Sequence, residues 1–232
     1  MLKYARLTTG RFHMATSLTS FLPYVLPHVV GCTDMLAEQT ILSSCIEFCT
    51  QTLLVQELST QNVTAGATDY TVNVPASSVL VRVLGVIHED SWLTPNSIEN
   101  MRSGVALRGD VGGSTATEST PKVYFQKTPT SEDITLYPVP VYTVTNGLAI
   151  RAAFAPSRSA TSVDDVLFNN WVEPIAAGAI SRLMLLPGQP FSAPALAGAY
   201  RAQFDVATRK AAIVARSGQV AASSRVQLAH FA

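Results

Sequence analysis

The sequence predicts an α+β protein: a helical bundle from both ends of the chain with an inserted antiparallel β domain, sandwich- or barrel-like. Three observations predict it. Apolar residues recur with helical period before about residue 57 and after about residue 161. Between them, short alternating or β-branched runs are separated by Gly, Pro, Ser and Thr. Neither helical stretch can bury its wide apolar face alone, so the two ends need each other. The division expected is an N-terminal extension (1–19), a bundle domain (20–57 with 161–217), a β domain (58–160) and a C-terminal tail (218–232).

The first element is Phe21–Cys32, FLPYVLPHVVGC. Its prolines, Pro23 and Pro27, would break the apolar helix of a signal peptide, and no small-x-small cleavage site follows cleanly. No run approaches the about 20 apolar residues of a membrane span. The stretch is expected to be a short helix with Gly31 as its stop. Thr33 then caps a long helix running to about Val55, with Asp34 and Glu38 in its first turn. Its polar stripe is Gln39, Ser43, Glu47, Thr50 and Gln51; Leu36, Ile41, Leu42, Cys45, Ile46, Phe48, Cys49 and Leu53 make the rest apolar.

From about Ser59 the period changes to two. DYTVNVP alternates Tyr70, Val72 and Val74, and VLVRVLGVI is a β-branched run from Val79 to Ile87. KVYFQK, DITLYPVPVY and GLAIRAAF continue the set, while GDVGGSTATEST, Gly109–Thr120, has no hydrophobic pattern and reads as a mobile loop. Helical period returns at Asp164, with Leu167, Trp171, Ile175, Ala179, Leu183 and Leu186 on one face. Pro174 should kink that helix near Val172. A last helix begins at Ser192 or Ala193, with Pro194 in its first turn. Its expected stripe is Leu196, Tyr200, Phe204, Ala207, Ala211 and Val214, and Asp205 is expected to pair with Arg209.

Composition points to assembly rather than chemistry. Only 14% of the 232 residues are charged, against about a quarter in ordinary domains, and 47% are hydrophobic. Such a surface suits the subunit of an assembly, because interface cores are depleted of charge. Formal net charge is +0, which argues against a general nucleic-acid binder. The ends are basic: no acid precedes Asp34, and after Asp205 come Arg209, Lys210, Arg216 and Arg225 with no acid. The three cysteines, Cys32, Cys45 and Cys49, read as reduced thiols in a core.

The chain carries no G-x-S-x-G, P-loop or H-E-x-x-H motif. GDVGGS, Gly109–Ser114, places Val111 where a G-D-S-G-G protease has its nucleophile, and valine has no attacking atom. Carboxylate neighbours such as Glu89-Asp90 and Asp164-Asp165 do not converge on one site. The expectation is a protein without catalytic residues, cofactor or metal. The alternative weighed against an assembly role is a β-domain binding module of a fibre or adhesin, carried by Trp92 and the 109–120 loop.

The order of pieces resembles a known family. FLPYVLPHVVGC leads into LAEQTILSSCIEFC, then DYTVNVP, DSWLTPNS, KVYFQK, DITLYPVP, VDDVLFNNWVEPIAAGAISRLMLLPGQPF and ALAGAYRAQFDVATRKAAIVAR. This resembles the head-to-tail adaptors (connectors) of tailed bacteriophages, the tail-tubular-protein-A-like proteins, over most of Ser20–Arg216. Residues 1–13 do not match the pattern. The resemblance implies a virion protein, present in the host cytoplasm before assembly. It implies a ring, usually a dodecamer, between the portal and the tail nozzle, through which genomic DNA passes without sequence-specific binding. It implies no membrane partner. It also implies a C-terminal arm that settles on the portal, with Arg209, Lys210, Arg216, Arg225, Leu228 and Phe231 as contacts. Trp92, Arg108 and Asp110 are the nozzle-side candidates.

Overall fold

The computed structural model describes residues 15–97, 119–128 and 131–217. The fold is α+β, with helices toward both ends and largely antiparallel sheets between. It divides into two compact units, 1–45 with 158–205 and 46–157 with 206–232.

The first unit opens with strand β1 (Ala15–Ser17), which pairs antiparallel with β10 (Ser162–Asp164), Thr16 opposite Val163. Residues 15–17 therefore belong to the folded unit and not to an N-terminal extension; a three-residue strand has too few positions to show a period in the sequence. Phe21–Cys32 is not one helix. It is a 3-10 turn at Leu18–Phe21, a single α turn α1 (Leu22–Val25) and a second 3-10 turn at Leu26–His28. Each proline sits near the start of its turn, where the missing N–H costs nothing. Gly31, at φ +90°, stops the series as expected.

Helix α2 (Asp34–Thr52) begins directly after Thr33, the start expected. Its first bond is the main-chain one from the Ala37 N–H to the Thr33 carbonyl at 3.0 Å, and the Thr33 side chain makes no hydrogen bond among the described residues. It ends three residues early: Leu53 turns into the left-handed region at φ 54°, its N–H still donating to the Cys49 carbonyl. Ile41, Cys45, Phe48 and Cys49 are fully buried. All three cysteines are free thiols. Complete burial pushes the Cys45 thiol up to about 12, which keeps it protonated and unreactive at neutral pH.

Helix α3 (Asp165–Met184) starts on the Asp164 carboxylate, which accepts from the Val166 N–H at 2.9 Å. It kinks at Trp171 (φ −136°, ψ 20°), as Pro174 requires, since proline denies the carbonyl of Asn170 its helical donor. Residues 175–181 are buried on every side, beyond the predicted stripe. Phe21 packs edge-on against Phe168 at 5.1 Å between ring centres.

Helix α4 (Pro194–Ser217) starts where proline was expected. Its buried line is Ala197, Phe204, Thr208, Ala211 and Ala215. The predicted stripe was rotated: Leu196 is exposed, and Ala207 and Val214 are only half-buried. Alanines and a threonine fill the buried line because they allow close approach, and a hydropathy pattern ranks them below the leucine and valine beside them. Asp205 pairs with Arg201 at 3.0 Å, one turn toward the helix start, and not with the predicted Arg209 one turn beyond it. Arg201 also lies 5.1 Å over the Phe204 ring, which fixes its direction.

The second unit contains two four-stranded sheets. One has the order β2 (Gln56–Val63), β9 (Val144–Pro156), β4 (Ser78–His88), β5 (Ser91–Trp92). The other has the order β3 (Asp69–Thr71), β8 (Asp133–Tyr137), β7 (Val123–Gln126), β6 (Thr94–Pro95). All pairings are antiparallel except the two-residue β6–β7 pair, which is parallel. Val83, Val86, Leu148, Ile150 and Phe154 of the first sheet share one core with Tyr70, Tyr124, Ile134 and Leu136 of the second. The period-two residues Tyr70 and Val72 are buried as the alternation requires.

Candidate interaction surfaces

The sequence-predicted contact residues fall into two groups. Arg108, Asp110, Arg225, Leu228 and Phe231 lie outside the described residues, as does most of the 109–120 loop. Trp92, Arg209, Lys210 and Arg216 lie within them, all in the second unit and all exposed.

Arg209, Lys210 and Arg216 stand on the last turns of α4. At 100° per residue, Arg209 and Arg216 are seven positions apart and share a face, with Lys210 next to it. Val206 and Ile213, 50% and 67% exposed, are also seven apart and lie between them. The buried line through Thr208, Ala211 and Ala215 is on the opposite side. The outer face from Val206 to Ser217 thus combines two bare aliphatic side chains with three cations and no carboxylate. Sequence reading found the cations but missed Val206 and Ile213, because the misplaced stripe obscured which aliphatic positions face out.

Trp92 is 63% exposed on β5, opposite Ile87 of β4. Its indole lies over the backbone of Gly85, where a Cβ would come within 2.5 Å of the ring. Gly85 therefore makes room for the ring, which is seated on the sheet edge rather than free in solution.

In the first unit, the connection before α2 meets the connection between α3 and α4. Gly31 approaches Pro190 so closely that a Cβ would lie 3.2 Å from its Cγ. His28 and Tyr200 touch, with 3.2 Å between Nδ1 and Oη. Around these connections Val30, Met35, Leu185 and Leu196 are 77%, 73%, 60% and 57% exposed.

An open cavity of about 230 Å³ lies in the second unit, lined by Gln51, Thr52, Leu53, Gln56, Leu84, Arg151, Ala212, Ala215 and Arg216. Gln56 Nε2 donates to the Leu53 carbonyl at 2.7 Å. Its Oε1 accepts from Arg151 Nε and Nη2 at 3.0 and 2.6 Å. This arrangement was not legible beforehand. Gln56 and Arg151 come together only through the β2–β9 register, in which Leu58 faces Arg151.

On the far side of the sandwich, Asp69 accepts from Lys127 Nζ at 2.7 Å and from Thr135 Oγ1. These bonds hold its carboxyl below the usual range and tie the start of β3 to the middle of β8 and to the residue that follows β7. The described residues contain no cluster of three or more His, Cys, Asp or Glu placed to hold a metal. None of the described helices is long and apolar enough to cross a membrane. Among known proteins, no family model and no curated protein matches this chain.

Proposed function

We propose that the chain is a structural virion protein, a head–tail adaptor that forms a ring between portal and tail nozzle and extends the DNA channel. The observation that carries this reading is the outer face of α4, where Val206 and Ile213 stand bare among Arg209, Lys210 and Arg216. Apolar contact gives such a face affinity, and its charge selects an acidic partner. The sequence resemblance supplies the partner: the portal, reached by α4 and the segment 218–232 that follows it. The exposed aliphatic side chains Val30, Met35, Leu185 and Leu196 of the first unit would be available for contact with neighbouring copies. DNA would pass along the channel without sequence-specific contacts. The adaptor would reach the virion from the host cytoplasm with no membrane partner.

Truncation after Ser217 tests the arm. The shortened chain is expected to keep its fold by circular dichroism and to lose association with the portal ring in a pull-down. Normal association would overturn the docking role.

A second reading takes the β sandwich as a binding module of a fibre, because Trp92 offers a seated aromatic surface. Electron microscopy of labelled particles separates the two: the adaptor sits on the particle axis, a fibre module at the periphery.

A further inference from the structure

We infer that the cavity between the end of α2, strand β9 and the last turn of α4 is a socket for one acidic side chain of a protein partner. Its two cations are Arg151 and Arg216, and no Asp or Glu lines it. The guanidinium of Arg151 is held, but by a neutral group. The Gln56 amide has its direction set by its bond to the Leu53 carbonyl, and it then accepts twice from Arg151. Two of the five N–H donors of arginine are thereby used and three remain. An amide orients a guanidinium without neutralising it, whereas a carboxylate in the same place would do both. Leu53, whose carbonyl anchors this chain of bonds, holds a positive φ of 54°. A leucine adopts that conformation only where its surroundings impose it.

The occupant follows from the walls. Arg151 and Arg216 suit a carboxylate, while Leu53, Leu84, Ala212 and Ala215 suit the methylenes behind it. The volume exceeds the about 30 Å³ share of a single water. A nucleic-acid strand would need a track of cations for successive phosphates, and two arginines at one cavity do not make one. The socket shares Arg216 with the portal-facing surface of the adaptor reading but also needs Arg151, which that reading does not use.

The test is an NMR titration of the full chain with ¹⁵N-labelled arginine at constant ionic strength. The probes are N-acetylglutamate N-methylamide, its glutamine counterpart and inorganic phosphate. The Arg151 Nε–H resonance, assigned by its loss in Arg151→Gln, is expected to shift saturably with the glutamate compound alone among the two amides. Arg216→Gln is expected to weaken that binding at least tenfold, with phosphate binding more weakly than the glutamate compound. Absence of a saturable shift, an equal response to the glutamine compound, or no effect of Arg216→Gln would overturn the inference. Phosphate binding as tight or tighter would overturn the acidic side chain in favour of a phosphate group.

Discussion

Replacing Phe204 by alanine is expected to cost about 3–5 kcal/mol of stability, and replacing Gly178 by alanine to destabilise as well. The two residues are halves of one contact in the first unit. Phe204 is fully buried on α4, and a Cβ at Gly178 of α3 would lie 2.6 Å from its Cδ2. Real side chains do not approach that closely, so the ring must move, and residues 175–181 around Gly178 leave it little room. Helix propensity opposes this, because alanine is favoured over glycine by up to about 1 kcal/mol in a helix interior. Overpacking costs about 1–3 kcal/mol and should win. Denaturant midpoints at unchanged m-value check the sign. Gly178→Ala combined with Phe204→Leu should recover part of the loss, because the smaller side chain vacates the space the new methyl needs. A stabilised Gly178→Ala protein would show that the helices are less tightly opposed than the structure places them.

The second large effect is on binding. Reversing three charges, Arg209→Glu with Lys210→Glu and Arg216→Glu, is expected to weaken portal association at least a hundredfold. Each of the three side chains is exposed. The fold should lose no more than about 1 kcal/mol, mainly because an acid in the last turn of a helix opposes its dipole. The control is Arg158→Glu, an exposed arginine of the other unit, which should leave association unchanged. Arg209→Glu alone separates this face from the socket, since Arg216 lines the cavity and Arg209 does not. Surface plasmon resonance on immobilised portal rings at two salt concentrations measures the effect. The wild-type affinity should fall with salt more steeply than that of the variant.

The alternation of Tyr70 and Val72, the kink imposed by Pro174, the stop at Gly31 and the proline start of α4 were legible in the sequence. Each is a local rule: side chains alternate along a strand, and proline lacks a donor wherever it stands. The features missed depend on distance along the chain. Strand β1 exists only because β10 pairs with it from residues 162–164. The early end of α2 follows from the left-handed turn at Leu53, a conformation no leucine announces. The rotation of the α4 stripe has the same origin. Ala211 and Ala215 are buried for their small size, while Ile213 remains exposed, so hydrophobicity and burial part company. The candidate surfaces divide likewise. The cations of α4 were found as a run without acids, whereas the Gln56–Arg151 contact required the sheet register.

The central claim is that this chain works by assembling on a portal. Mass photometry of the protein, alone and mixed with a purified portal ring from the same phage, tests that claim most directly. The account predicts a portal complex heavier by several copies of the 24.8 kDa chain, with the added mass saturating at a fixed stoichiometry. A chain that stays monomeric beside intact portal rings at micromolar concentration would contradict it.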